Sequence, residues 1–209
     1  MTKSQIVKLS MEVGGLSSPP KMPCHSFSIP AAKCVTGGKL NAVAGSVCSK
    51  CYARKGRYVF PNVKNALERR LAGLSRPDWV ATMSKVINGL NEGFFRWHDS
   101  GDIQGRWHLE RIIEVAKNTP GTRHWLPTKE YGLMHAAIRD GIEIPENLTI
   151  RISSPMVGGK APNVAGMPTS TVTTNEQEAS CRAFENAGKC GDCRACWDKS
   201  TKNITYLAH

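Results

Sequence analysis

Residues 94–152 read FFRWHDSGDIQGRWHLERIIEVAKNTPGTRHWLPTKEYGLMHAAIRDGIEIPENLTIRI, and this stretch decides the fold. Three short segments in it have the pattern of strands: Phe94–His98, Arg123–Leu126 and Leu148–Ile152. Between them, residues 106–118 and 131–139 carry apolar side chains at helical spacing, the first on a face that begins at Trp107. Strand, helix, strand, helix, strand at this spacing predicts right-handed βαβ units on a parallel sheet.

Polar residues follow each predicted strand, in the segments 98–102, 127–130 and 153–155. Ligands of parallel α/β folds bind beyond the carboxyl ends of the strands, and these segments supply carboxylates, a histidine and a lysine for proton transfer or for holding a charged substrate. The candidate catalytic residues are His98, Asp102 and Lys129, and the candidate cofactor-binding residues are Ser100, Gly101 and Ser153. The alternative is structural, with Asp99, Ser100 and Asp102 forming the turn and capping the next helix.

The flanking segments contain more predicted elements. Residues from Pro61 to about Leu90 predict two helices, with Ser75 as the cap of the second and Pro77 in its first turn. An additional strand is expected within Ile6–Met11. The stretch Met156–Asn175 predicts a long loop, and Ile204–His209 a closing strand or tail.

Eight cysteines fall into two sets near the ends of the chain, with none between residues 52 and 180: Cys24, Cys34, Cys48 and Cys51, then Cys181, Cys190, Cys193 and Cys196. Disulfides, zinc and iron–sulfur clusters compete as explanations. Disulfides need an oxidising compartment, and a chain of this length has core enough without them. Zinc would favour closely spaced pairs, of which Cys48 with Cys51 is one and Cys193 with Cys196 another.

The second set favours an iron–sulfur cluster. Cys190, Cys193 and Cys196 have the C-x2-C-x2-C spacing of ferredoxin-type loops, which can wrap around three corners of a cubic cluster. The fourth ferredoxin position is Ser200, so that Cys181 or a cysteine from the first set would have to supply the last ligand. The first set is looser and predicts a site assembled from separate loops, with His25 beside Cys24 as a spare ligand.

Composition indicates a globular protein of 209 residues without a membrane-spanning run or a signal-peptide core. The formal charge is +11, which makes nucleic acid or a phosphorylated molecule an expected partner. The densest basic group is Lys50–Arg57, where Tyr52 and Tyr58 are stacking candidates. A solvated surface is the simpler explanation of most of these charges. The G-x-G-x-x-G and P-loop patterns are absent.

Three motifs together resemble the phage gene-product-88 family: Cys48-x2-Cys51-Tyr52-Ala53, His98-x-Ser100-Gly101-Asp102, and Cys190-Gly-Asp-Cys193-Arg-Ala-Cys196-Trp197. The likeness spans most of the chain but implies little chemistry by itself. A weaker likeness is to radical S-adenosylmethionine enzymes, which hold a 4Fe-4S cluster at the carboxyl ends of a partial βα barrel. Of their C-x3-C-x2-C loop only the last C-x2-C is present, so Cys24 or Cys34 would have to bring the third thiolate. Four thiolates at the first set would leave no open iron for S-adenosylmethionine.

These observations together predict an α/β protein with a partial, barrel-like parallel βα core and cysteine-rich metal-binding loops at both ends of the chain. One domain is expected, divided into the first cysteine set (1–60), the helices and βαβ core (61–155), a long loop (156–180) and the second cysteine loop (181–209).

The expected function is that of a phage-encoded, cytoplasmic protein with one or two 4Fe-4S clusters, performing redox or radical-type chemistry with S-adenosylmethionine as a further cofactor. A substrate and an electron-donor protein would be its partners. The alternative is a zinc-stabilised nucleic-acid-binding or host-interaction protein.

Overall fold

The computed structural model describes residues 1–208, so that His209 lies outside the described residues. Its centre is one parallel sheet whose strand order follows the sequence: β1 (Ser26–Phe27), β2 (Phe94–Trp97), β3 (Arg123–Thr128), β4 (Leu148–Ser153), β5 (Thr169–Thr173) and β6 (Asn203–Leu207). The predicted parallel α/β architecture is therefore confirmed. The sheet is not closed into a barrel, because β1 and β6 are its two edges.

In the described part of the chain, six α-helices accompany the sheet: α1 (Lys3–Glu12), α2 (Val35–Leu40), α3 (Pro61–Gly73), α4 (Trp79–Leu90), α5 (Arg106–Lys117) and α6 (Tyr131–Arg139). The last four match the predicted helices, although α4 begins after Asp78 and Ser75 does not cap it. None of the helices within residues 1–208 has the length and apolarity that a bilayer crossing requires.

The predicted strand at Ile6–Met11 is wrong, since these residues belong to α1. A capping box starts this helix, in which the Gln5 N–H donates to the Thr2 hydroxyl and the Thr2 N–H donates to the Gln5 side chain at 2.8 Å. The predicted loop after β4 also needs correction, because it contains β5. The β-branched run of Thr169–Thr173 pairs with β6, and neighbouring glycines and prolines hide this strand in the sequence.

The two faces of the sheet have different chemistry. Side chains alternate along β2, where Phe95 and Trp97 belong to the main apolar core with the helices and Arg96 points to the opposite face. On that opposite face, the Thr149 hydroxyl donates to the carbonyl of Trp197 at 2.9 Å, so the second cysteine loop covers it. We call this the open face of the sheet, meaning the face opposite the helix-packed core, although a loop covers it. Trp107, predicted to be part of the apolar face of α5, is 46% exposed.

Gly101 is required where the loop after β2 crosses the chain after β1. Its φ is +88°, and a side-chain carbon there would lie 2.3 Å from Ile29 Cγ1 and 2.8 Å from the Ile29 carbonyl oxygen. We expect Gly101→Ala to lower the free energy of unfolding by about 1–3 kcal/mol, because backbone strain adds to the clash. Gly121→Ala is the matched control, with no atom within 4 Å of the new carbon. Equal urea midpoints for the two variants would contradict this assignment.

Candidate functional site

Three cysteines, Cys34, Cys48 and Cys51, form the first cysteine group over the carboxyl ends of the strands. Cys34 immediately precedes α2. The loop that carries the other two is fastened to the chain beyond β4, where the Val47 N–H donates to the Pro155 carbonyl at 2.9 Å. The group therefore lies at the edge of the sheet where parallel α/β proteins bind ligands.

Helix α2 is hydrogen-bonded to Glu130 after β3, and its Gly37 lies between the thiols of Cys34 and Cys48. The N–H and hydroxyl of Thr36 donate to the two carboxylate oxygens of Glu130 at 2.9 and 2.7 Å. A side-chain carbon at Gly37 would lie 3.4 Å from Cys48 Sγ and 3.7 Å from Cys34 Sγ. The two sulfurs are thus at most 7.1 Å apart, the sum of those distances, and only a glycine keeps the space between them open.

Electrostatics in the first cysteine group favour neutral thiols in the metal-free chain. Burial, with the nearby charges of Asp102 and Cys51 as smaller causes, raises the pKa of Cys34 to about 12. Burial also raises the pKa of Cys48, against the positive charge of Lys129. Metal binding here would therefore release protons, as thiolate ligation generally does.

Asp102, a candidate catalytic residue, joins the ends of two strands. Its carboxylate accepts hydrogen bonds from the Ile103 N–H at 2.8 Å, the Thr128 hydroxyl at 2.7 Å and the Lys129 N–H at 2.9 Å. Burial raises the pKa of Asp102 to about 6, in spite of these hydrogen bonds. These hydrogen bonds join the loop after β2 to the end of β3, whereas α5 has Gly105 at its N-cap, so Asp102 does not cap that helix.

Lys129 lies beside Asp102 and Glu130 but, unlike their carboxylates, its charged group makes no hydrogen bond within the described chain. Lys129 is half-buried, and its charge lowers the pKa of Cys48 against the effect of burial. Its ammonium group has no hydrogen bond or ion pair with any residue of the described chain. A cation in this state is available to an anion. Lys129 is therefore the predicted catalytic residue that the structure leaves best placed to touch a ligand.

His98 is placed differently from Lys129. Its backbone has a φ of 56°, its ring is 5.2 Å from the ring of His108 on α5, and both ring nitrogens are buried without a partner in the described chain. Burial lowers the pKa of His98 well below its usual range, so the ring is neutral. The structure thus packs His98 against α5.

The predicted cofactor-binding residues make internal contacts. The Ser100 hydroxyl donates to the Ile29 carbonyl at 3.0 Å. The Ser153 carbonyl accepts from the Tyr131 hydroxyl at 2.7 Å. Ser153 thereby connects β4 to α6 at the same edge of the sheet as the first cysteine group.

The other five cysteines form the second cysteine group, on the open face of the sheet: Cys24, Cys181, Cys190, Cys193 and Cys196. Cys24 belongs here although it is first in the sequence, since it packs in one apolar cluster with Cys196 and Trp197. The Cys190 N–H donates to the Lys21 carbonyl at 3.1 Å, which joins the two ends of the chain. The grouping is three and five, where spacing along the chain suggested four and four.

The second cysteine group has a half-buried cation, Arg96, beside it. Arg96 Nη1 is 3.7 Å from Met22 Sδ, and Cys190 Sγ is 3.8 Å from the same sulfur. The guanidinium carbon lies 4.5 Å above the Trp125 ring, and Nε is buried without a partner in the described chain. Burial raises the pKa of Tyr52, the residue after Cys51, and the positive charge of Arg96 opposes this rise. Arg96 is therefore close to both cysteine groups.

Arg151, on β4, holds the loop that carries Cys196. Its side chain is fully buried and donates to five backbone carbonyls at 2.7 to 3.3 Å: Thr169, Ala195, Cys196, Asp198 and Thr201. Sequence reasoning missed this residue. The available signal was one arginine between two isoleucines in a predicted buried strand.

The cysteines of the described chain do not surround a single metal-ion position. Within residues 1–208, no three His, Cys, Asp or Glu side chains are arranged to hold a single metal ion. A zinc ion would hold its sulfurs about 2.3 Å from one centre, whereas a 4Fe-4S cluster distributes its thiolates over separate iron atoms and needs more space. The space at Gly37 admits one carbon in contact with both sulfurs, and Arg96 Nε has no partner in the described chain, so the cysteines leave donors available without outlining one particular metal group.

Comparison with known proteins gives one match. A family model described as "Gene product 88" matches residues 2–199. Neither the curated proteins nor the solved structures yield a match. The weaker likeness to radical S-adenosylmethionine enzymes has no support in these comparisons.

Proposed function

The chain belongs to the phage gene product 88 family, and we propose that it is an iron–sulfur protein acting by redox or radical-type chemistry on a substrate bound at the carboxyl ends of the strands. The observation that carries this proposal is the convergence of Cys34, Cys48 and Cys51 on that edge, beside an unpaired Lys129. The proposed place of action is the cytoplasm of the host cell.

The first cysteine group offers three thiols for a cluster with four iron atoms. Bound there, such a cluster would supply one-electron chemistry, and with Cys34, Cys48 and Cys51 as its protein ligands it would leave one iron for a substrate or for S-adenosylmethionine. Lys129 would hold an anionic part of that molecule, since the residue lies near Cys48 and its ammonium group has no partner in the described chain. Asp102 and Glu130 keep the loops in place through their hydrogen bonds.

The second cysteine group would hold a second cluster, with Cys24 as the fourth ligand beside Cys190, Cys193 and Cys196. Cys193 is exposed, which brings this group to the surface, where an electron-donor protein could reach it. Arg96 would compensate the negative charge that four thiolates bring to a buried position. Its unpartnered Nε–H is a donor for a sulfur atom, and hydrogen bonds to sulfur are one of the means by which proteins set cluster potentials.

Electron paramagnetic resonance of the anaerobic, dithionite-reduced protein tests the open iron. We expect addition of S-adenosylmethionine to change the spectrum of one cluster and leave the other unchanged. A spectrum that S-adenosylmethionine does not change at all would count against an open iron that binds this cofactor. Zinc in place of iron, with no resonance, would favour the zinc-stabilised alternative.

Lys129→Gln separates substrate handling from metal binding. We expect it to keep the iron and sulfide content of the wild type, because Lys129 is not a ligand. The concentration of S-adenosylmethionine that gives half of the spectral change should rise at least tenfold. A hydrogen bond to a charged group contributes about 1.5–3 kcal/mol, which corresponds to this loss. Loss of iron in Lys129→Gln would show that the residue supports the metal site instead. His98→Gln is the control that should leave both readouts unchanged.

A further inference from the structure

The positive charge of the chain is concentrated in one segment. Residues 13–67 contain no Asp or Glu and eight cations: Lys21, Lys33, Lys39, Lys50, Arg54, Lys55, Arg57 and Lys64. The rest of the chain has 20 Lys and Arg against 17 Asp and Glu, so that eight of the eleven net charges come from this segment. If the net charge were spread evenly along the chain, residues 13–67 would not carry most of it.

The cations of this segment are not neutralised by ion pairs. Among the ion pairs of residues 1–208, those of Lys and Arg all use side chains outside 13–67, and only His25 of the segment takes part. Asp102 and Glu130, which lie behind the segment, are buried and hydrogen-bonded to the chain. The half-buried Asp99 is a further carboxylate beside the segment, where it accepts a hydrogen bond from the Tyr58 hydroxyl at 2.8 Å. The surface of the segment is therefore net positive, because eight cations face this one carboxylate without an ion pair to it.

The segment 13–67 is also the one that carries the first cysteine group. Directly after Cys51, the chain presents Lys55 and Arg57 to solvent, and Phe60 is 54% exposed. Tyr52 is 43% exposed although its hydroxyl donates to the Asp99 carbonyl. Exposed cations alternating with exposed aromatic rings are the arrangement that binds single-stranded nucleic acid, with phosphates on the cations and bases on the rings.

We propose that the surface of residues 50–60, the basic rim, binds single-stranded nucleic acid and that a nucleotide of that strand is the substrate class of the first cysteine group. The second half of this inference rests on the proposed function, whereas the binding itself does not. Single-stranded nucleic acid fits better than a duplex, because a base must leave the base stack before it can reach a site at the carboxyl ends of the β-strands. Lys129, beside Cys48, would then bind a phosphate of that nucleotide.

Fluorescence anisotropy with labelled 20-mer single-stranded DNA and RNA tests the binding. We expect the affinity to fall steeply between 50 and 200 mM salt, since each neutralised phosphate contributes about −0.7 to the logarithmic slope. The triple variant Lys50→Gln, Lys55→Gln, Arg57→Gln should bind at least tenfold more weakly. Its control is Lys8→Gln, Lys85→Gln, Lys117→Gln, which removes the same charge from exposed positions outside the segment.

Phe60→Ala provides an independent test that keeps the charge. We expect an affinity loss of about fivefold or more with an unchanged salt slope, because stacking contributes about 1–3 kcal/mol per base. Equal losses in both triple variants, or no binding at 50 mM salt, would overturn the basic rim. Binding to vesicles of anionic phospholipid without binding to oligonucleotides would overturn it as well. Oligonucleotide binding by a protein that contains zinc and no sulfide would keep the rim and remove the proposed iron–sulfur function.

Discussion

Replacing Arg151 by leucine is expected to lower the free energy of unfolding by at least about 3 kcal/mol, because several buried carbonyls lose their donor at once and each costs about 1–3 kcal/mol. The guanidinium is fully buried and donates to five carbonyls of residues 169–201. The loop that carries Cys196 should detach first. Urea unfolding of the anaerobic protein measures the effect.

Two further variants keep this prediction testable if Arg151→Leu does not fold. Arg151→Lys keeps the charge but offers three donors where the guanidinium has five, so an intermediate loss is expected. Arg139→Leu is the matched control, because the Arg139 side chain is 77% exposed and surface changes usually stay within about 0.5 kcal/mol. An Arg151→Leu protein as stable as Arg139→Leu would show that the loop does not depend on this arginine.

Replacing Cys24 by serine is expected to remove one of the two metal centres and leave the other. Cys24 is buried with Cys196 and Trp197. Burial raises the pKa of Cys24, with the charge of Cys190 as a smaller cause, so Cys24 is close to Cys190 as well and should ligate the same centre. Iron content should fall by about half, because metal binding and local folding are coupled. Cys48→Ser should remove the other half.

Double variants identify which cysteines share a centre. Cys24→Ser combined with Cys48→Ser should remove nearly all iron, since effects at independent sites add. Cys24→Ser combined with Cys190→Ser should lose no more than either change alone. If Cys24 instead served the first cysteine group, these two results would be exchanged.

The middle of the fold was predictable because its signals are local. Helical spacing in residues 106–118 and 131–139 and the short apolar runs between them specify α5, α6 and their strands. Short elements were not predictable in this way. β5 has five residues without an apolar alternation, and α1 is mostly exposed, with Ile6 its one buried side chain.

The candidate site was predictable in kind but not in its grouping. Parallel topology alone brings Asp102 and Lys129 to one edge, and spacing alone marks the cysteines as a functional set. The transfer of Cys24 to the second cysteine group depends on contacts between the two ends of the chain, such as the Cys190 N–H to the Lys21 carbonyl. Arg96 and Arg151 take their roles from the same distant contacts, which no local pattern shows.

The measurement that tests the central claim most directly is the quantity of iron, acid-labile sulfide and zinc per chain in protein purified without oxygen. Two iron–sulfur clusters predict equal amounts of iron and sulfide, the brown colour of thiolate-bound iron and little zinc. One or two zinc ions per chain, with no sulfide, would contradict the account.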